Sequence, residues 1–328
     1  MLTVKRLYLY GVLGIALPLL LWGLTDLMRF VLGELAQAVG SNPAFGGRFE
    51  LEELSRAVAL VIVAGSIFGV HLALVRRSLQ GSPAEIADER ASASRATYFF
   101  LALIGTGIAF GMSLFELVDQ FIASVAFGER NWGLVSPAGS VIVVGSAWAL
   151  HVLARRTDLR SAPERTAGDW LTRAYLYGAL FATVLLASFA ASQVLTTVGR
   201  QLLDLRPMWE TVDWWQDAIT GVVAGTLVAT TGWLTHWFFA DRLLRAPDPM
   251  GEAHRSSGTR RGYFLTVVLA SAATVLVLAM TSLQSVFAEM MGAWRPTDGS
   301  RLIEDIGGPL LMVAPFALVW WWHLRRVS

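Results

Sequence analysis

The sequence predicts an all-α, polytopic membrane helical bundle of eight transmembrane helices, built as four tandem two-helix repeats with both termini cytoplasmic. Three observations carry that reading. First, 55% of the 328 residues are hydrophobic and only 16% are charged, with a mean hydropathy of +0.53, outside the usual composition of soluble globular chains. Second, eight apolar runs are long enough to cross a hydrocarbon core about 30 Å thick. Third, a histidine returns at one place in every second run.

The runs cover 7–27, 57–75, 98–118, 138–154, 174–194, 218–239, 263–283 and 306–324. Charge is almost absent inside them, and they are apolar all round, as expected of helices surrounded by lipid or by one another. Pro18, Pro309 and Pro315 can bend the first and last helices, whereas Pro137 stands at a helix start and does no harm there. The polar stretches 81–94 and 248–261 read as flexible cytoplasmic connectors, and His254, beside Arg255, is expected to be solvated. The segments 45–53, 205–215 and 294–305 mix Trp, Pro, Arg and acids, and read as interfacial or re-entrant caps too short to fold alone.

Basic residues near span ends set orientation. With both termini on one side, that side holds 18 basic and nine acidic residues, and the other holds eight arginines and 16 acids. The segregation, +9 against −8, is hidden in a net charge of +1 and places both termini in the cytoplasm of a bacterial cell. The first run is flanked by Lys5 and Arg6 and lacks a small-residue cleavage site, so it is expected to remain in the mature protein.

The odd helices open alike, with Arg6-Leu7-Tyr8, Arg173-Ala174-Tyr175 and Arg261-Gly262-Tyr263, and with Arg95-Ala96-Thr97-Tyr98 one residue longer. Eighteen residues after each tyrosine stand Asp26, Glu116, Gln193 and Thr281. The even helices close on an aromatic residue, two spacers and a histidine, followed by arginine: Phe68 with His71, Trp148 with His151, Trp233 with His236 and Trp320 with His323. The histidines are 80, 85 and 87 residues apart, which defines a hairpin repeat. The expected organisation is one membrane domain over 1–328 with repeats at 1–80, 90–160, 170–245 and 258–328.

The Arg-x-Tyr opening and the Trp-x-x-His close resemble a bacterial multi-pass membrane family catalogued only as a domain of unknown function, over nearly the whole chain. The resemblance supports the architecture and implies no activity, substrate or cofactor.

Candidate site residues follow from chemistry. Imidazole in a spanning helix pairs, relays protons or ligates, so His71, His151, His236 and His323 are candidate ligands for a b-type haem or related pigment; duplication of a structural histidine is the competing explanation. Asp26, Glu116 and Gln193 would suit a substrate or ion vestibule, although Arg29 lies within a turn of Asp26 and can neutralise it. Gly105, Gly107, Gly111, Gly221 and Gly225 are expected to allow close helix packing. With no cysteine, disulfides, thiolate nucleophiles, cysteine-ligated clusters and sulfur-built zinc sites are excluded. No Walker loop, nucleophile elbow or zinc-protease motif is present, and nothing points to nucleic acid.

The reading these observations favour is a non-enzymatic accessory, scaffolding or small-ligand-binding subunit of the inner membrane. Its expected partners are the lipid bilayer and either further copies of the chain or other membrane-complex subunits. The alternatives are an electron-transfer protein that binds haem through the repeated histidines, and a carrier with an outward acidic vestibule.

Overall fold

The computed structural model describes residues 2–38, 51–128, 132–161, 169–203, 214–247, 249–291 and 299–327. Its helices are α1 (Leu2–Ala38), α2 (Leu51–Ser78), α3 (Pro83–Arg90), α4 (Ala93–Phe127), α5 (Val135–Ser161), α6 (Asp169–Leu202), α7 (Trp214–Arg245), α8 (Pro249–Arg255), α9 (Gly258–Met290) and α10 (Gly299–Val327). No strand occurs among the described residues. Eight helices, all but α3 and α8, are long and apolar enough to cross a membrane, and each contains one of the predicted runs. The chain is a multi-pass membrane protein by that measure.

Two expectations change. The stretches read as flexible connectors contain the short helices α3 and α8. The cause of α3 is local: Ser82 and Glu85 form a reciprocal capping box, and Pro83 occupies the first turn, where its missing N–H costs nothing. The Glu85 side chain accepts from the Ser82 backbone N–H at 2.8 Å and from its hydroxyl at 2.9 Å, and these bonds hold its carboxyl below the usual range. The expected outer caps fall largely outside the described residues, and the parts inside them, 51–53, 214–215 and 299–305, are helical.

Much of the chain's large apolar surface points outward. Ile15, Ile62, Ile108 and Leu276 are all more than half exposed, an arrangement stable only if lipid replaces water around them. The helices pack as two compact units, 1–117 with 130–175, and 118–129 with 176–328.

In the first unit α1 packs on α2 and α5. Leu9 and Leu13, one turn apart on one face of α1, are buried with Tyr10 and Val75, and Phe68, Leu72 and Tyr98 close around them. Farther along, α1 and α2 approach closely. A Cβ on Gly23 would lie 2.8 Å from Leu60 Cβ and 2.9 Å from the Ala57 carbonyl oxygen.

In the second unit the buried face of α6 is Leu176, Tyr177, Leu180 and Val184, packed with Ala240 of α7 and with Tyr263, Phe264 and Val267 of α9. Two serines then stitch α10 to its neighbours. The Ser192 hydroxyl shares its proton between the Ser188 carbonyl of its own helix at 2.8 Å and the Met312 carbonyl at 3.0 Å, and Ser282 donates to the carbonyl of Ile306 at 3.2 Å. Each accepting carbonyl of α10 stands three residues before a proline, Pro315 or Pro309, in a turn whose backbone hydrogen bonding the ring disturbs. Side-chain hydroxyls commonly satisfy such groups inside a membrane.

The glycines expected to pack helices are mostly not the close ones. Gly105 and Gly111 have no atom within 4 Å of a built Cβ, and Gly221 makes only ordinary contact at 3.8 Å; a helix exposes glycines to lipid and to neighbours alike. Gly23 therefore provides a test. Gly23→Ala is expected to lower the thermal midpoint of the purified protein, since overpacking against backbone costs about 1–3 kcal/mol. Gly14→Ala, with open space around it, should leave the midpoint unchanged or raise it, because alanine favours helix by about 1 kcal/mol.

Candidate functional site

The repeated histidines are held in a common way. In His71, His151, His236 and His323 the ring Nδ1 lies 2.7–2.8 Å from the carbonyl four residues earlier. A carbonyl only accepts, so Nδ1 carries the proton and Nε2 is left as the acceptor. In His151 and His323 that acceptor is taken: the Tyr98 and Tyr263 hydroxyls donate to it, each at 2.9 Å. Tyr8 approaches His71 at a longer 3.4 Å. The rings of His71, His151 and His323 meet tyrosine, phenylalanine or tryptophan, and none of these three meets another histidine. The tautomer is the one a haem ligand needs, but the tyrosine hydroxyl stands where the metal would bind in two of the four.

A second cluster lies at the same, arginine-rich end of the first unit. Arg95 at the start of α4 grips Asp158 of α5 with two bonds, Nε to Oδ2 at 2.6 Å and Nη2 to Oδ1 at 3.0 Å. Its Nη1 donates to the Tyr10 hydroxyl at 2.9 Å, and Tyr10 donates in turn to Glu89 of α3 at 2.7 Å. Arg6 closes the far side, reaching Glu89 and Asp88, both at 2.7 Å. Arg90 stands 3.9 Å from Asp158. The side chains of Asp158, Glu89 and Arg95 are 4%, 7% and 8% exposed, so this is a buried network. Its three arginines face three carboxylates, and it ties α1, α3, α4 and α5 together.

At the other end of the spans, Asp26 is buried between Arg29 at 3.5 Å and Arg56 at 3.6 Å. Arg29 also donates to Ser140 at 3.0 Å, so α1, α2 and α5 share this anchor. Glu116 is exposed and Gln193 is half-buried, and no hydrogen bond or ion pair joins Asp26 to Glu116. Among the described residues no group of three or more His, Cys, Asp or Glu is placed to hold a metal.

The network residues Tyr10, Glu89 and Asp158 carry no short-range motif, but a longer register shows their setting. Arg90-Ala-Ser-Ala-Ser-Arg95-Ala-Thr-Tyr98-Phe99 reads against Arg255-Ser-Ser-Gly-Thr-Arg260-Arg-Gly-Tyr263-Phe264, 165 residues later. The same backbone bonds recur, Ser92 to the Glu89 carbonyl and Ser257 to that of His254. Arg95 lies 5.2 Å over Phe99 and Arg260 lies 5.4 Å over Phe264. The Tyr10–Tyr98 and Tyr177–Tyr263 rings meet at 5.8 and 5.7 Å, each tilted by 36°. Arg260, not Arg261, therefore answers to Arg95. His254 occupies the place of Glu89; it is fully buried, with its ring 6.5 Å from that of Tyr177. The expectation that it is solvated fails because α8 turns this side chain inward onto the aromatic core.

Residues 6–146 match a family model described as Domain of unknown function (DUF5671). That agrees with the resemblance to a family catalogued only in those terms, over a shorter stretch than the whole-chain similarity expected. No curated protein and no solved structure matches the chain.

Removing one partner of the buried pair strands the other charge. Asp158→Asn or Arg95→Gln is each expected to destabilise the protein by about 3–5 kcal/mol. The combined Arg95→Met, Asp158→Leu variant should lose less than either single change, as read by thermal unfolding in one detergent.

Proposed function

We propose that the chain is a non-catalytic subunit of the bacterial inner membrane, an accessory or scaffolding protein that presents a rigid helical surface to membrane partners, either further copies of itself or other subunits. One observation carries this reading. The acceptors that a metal or proton-relay site would use are already taken: Nε2 of His151 and His323 by tyrosine, and Asp158 and Glu89 by arginine and Tyr10. A catalytic or haem-binding site needs such acceptors free. A tandem repeat of two-helix hairpins would explain the recurrence of the Tyr–His contact, and the charge segregation supports a cytoplasmic location for the arginine-rich helix ends.

An absorption spectrum, oxidised and dithionite-reduced, of protein purified from a haem-competent host tests the reading. It should show no Soret band, and His151→Ala and His323→Ala should fold with about 1 kcal/mol less stability each. A Soret band that disappears in those variants would replace the scaffold with an electron-transfer protein.

Orientation has its own test, since the chain offers no cysteine of its own. A single cysteine at Ser256 should resist a membrane-impermeant maleimide in intact cells and react after permeabilisation, whereas one at Ser41 should react in both. The reverse pattern would invert the topology.

A further inference from the structure

The two units treat equivalent arginines differently. Arg95 is matched by Asp158. Arg260, in the corresponding place, keeps its cation over Phe264, but its Nε is buried without a hydrogen-bond partner, and no carboxylate pairs with it among the described residues. Arg260 is half-buried, and a buried N–H with nothing to donate to is costly, so its Nε calls for an acceptor.

A second arginine faces the same aromatic surface. Arg326 is exposed, makes no ion pair among the described residues, and lies 4.9 Å over Trp237 and 4.2 Å over Trp322. Those two rings meet at 4.9 Å, and Trp237 meets Phe264 edge-on at 6.3 Å. Phe264, Trp237 and Trp322 thus form an edge-to-face aromatic cluster, with Arg260 over Phe264 and Arg326 over the two tryptophans. Asp241, an acid of α7, is engaged by Arg245 at 2.7 Å.

We propose that this end of the second unit binds the headgroup of an anionic glycerophospholipid over this aromatic cluster, with Arg260 and Arg326 as the cations that attract it. The guanidinium fork matches phosphate oxygens, and aromatic side chains are at home at headgroup depth. Lipid is the source because both arginines stand toward the ends of apolar spans, Gly251–Met290 and Ile306–Arg326, where the phosphates of a leaflet lie. In the first unit Asp158 already fills the equivalent role, so the site is specific to the second. It stands independently of the scaffold reading.

The test uses the full chain, reconstituted in phosphatidylcholine vesicles with and without a minor fraction of phosphatidylglycerol, extracted in mild detergent and weighed by native mass spectrometry. Wild type should retain phosphatidylglycerol in preference to phosphatidylcholine. Arg260→Gln and Arg326→Gln should each weaken retention about tenfold, the loss of a charge-assisted hydrogen bond. Arg242→Gln and Arg261→Gln, exposed arginines of the same unit, should not change it. If Arg260→Gln does not fold, Arg326→Gln reads the same site from its exposed flank, and Arg260→Lys keeps the charge without the fork. Equal retention of both lipids by wild type, or equal loss in all the glutamine variants, overturns the proposal. So does displacement of the lipid by excess inorganic phosphate at the same charge concentration, which would assign the site to a soluble anion.

Discussion

The grip of Arg95 on Asp158 is the contact on which the charged end of the first unit depends. Both side chains lie where water is scarce, so neither tolerates the loss of the other. The remaining guanidinium nitrogen orients Tyr10, Tyr10 orients Glu89, and Glu89 holds Arg6. A short polar helix such as α3 has little apolar face of its own with which to dock. It is fixed because its last turn supplies Asp88, Glu89 and Arg90 to this network. The pair contributes position more than net energy, since the desolvation of both ions offsets much of their attraction.

The histidines obey a simpler constraint. Each ring bonds its own helix through Nδ1, which costs no partner helix and can be copied with the hairpin. What differs is the second nitrogen. A hydroxyl at 2.9 Å makes a full bond for His151 and His323, while Tyr8 and His71, near the surface, make a weaker one.

The spans were legible because hydropathy over about 20 residues is a strong signal that tertiary context seldom overrides. The capping box at Ser82 and Glu85 was equally legible, but a polar composition outweighed it and α3 read as a connector. The ion network was not legible: its partners are separated by 63 to 85 residues, and nothing local in Asp158 or Glu89 marks them as paired. Composition also misled at His254, where a neighbouring arginine suggested water although a helix of only seven residues can turn adjacent side chains to opposite surroundings. Glycine presents the same difficulty. Sequence cannot say which face of a lipid-bathed helix meets another helix, so Gly23 escaped notice while Gly105 and Gly111 drew it.

The comparison between the units then separates framework from difference. Tilted tyrosine pairs, an arginine over a phenylalanine four residues on, and the same backbone turn after α3 and α8 occur in both, and all are features that set backbone position. Charge is what varies. Where one unit places Glu89 the other buries His254, and where Arg95 meets a carboxylate Arg260 meets only the Phe264 ring among the described residues. If framework alone were needed, an apolar residue in place of Arg260 would avoid leaving a buried Nε–H without an acceptor. The place of Arg260 over an aromatic ring, with an Nε that has no acceptor, is the difference on which the lipid proposal rests.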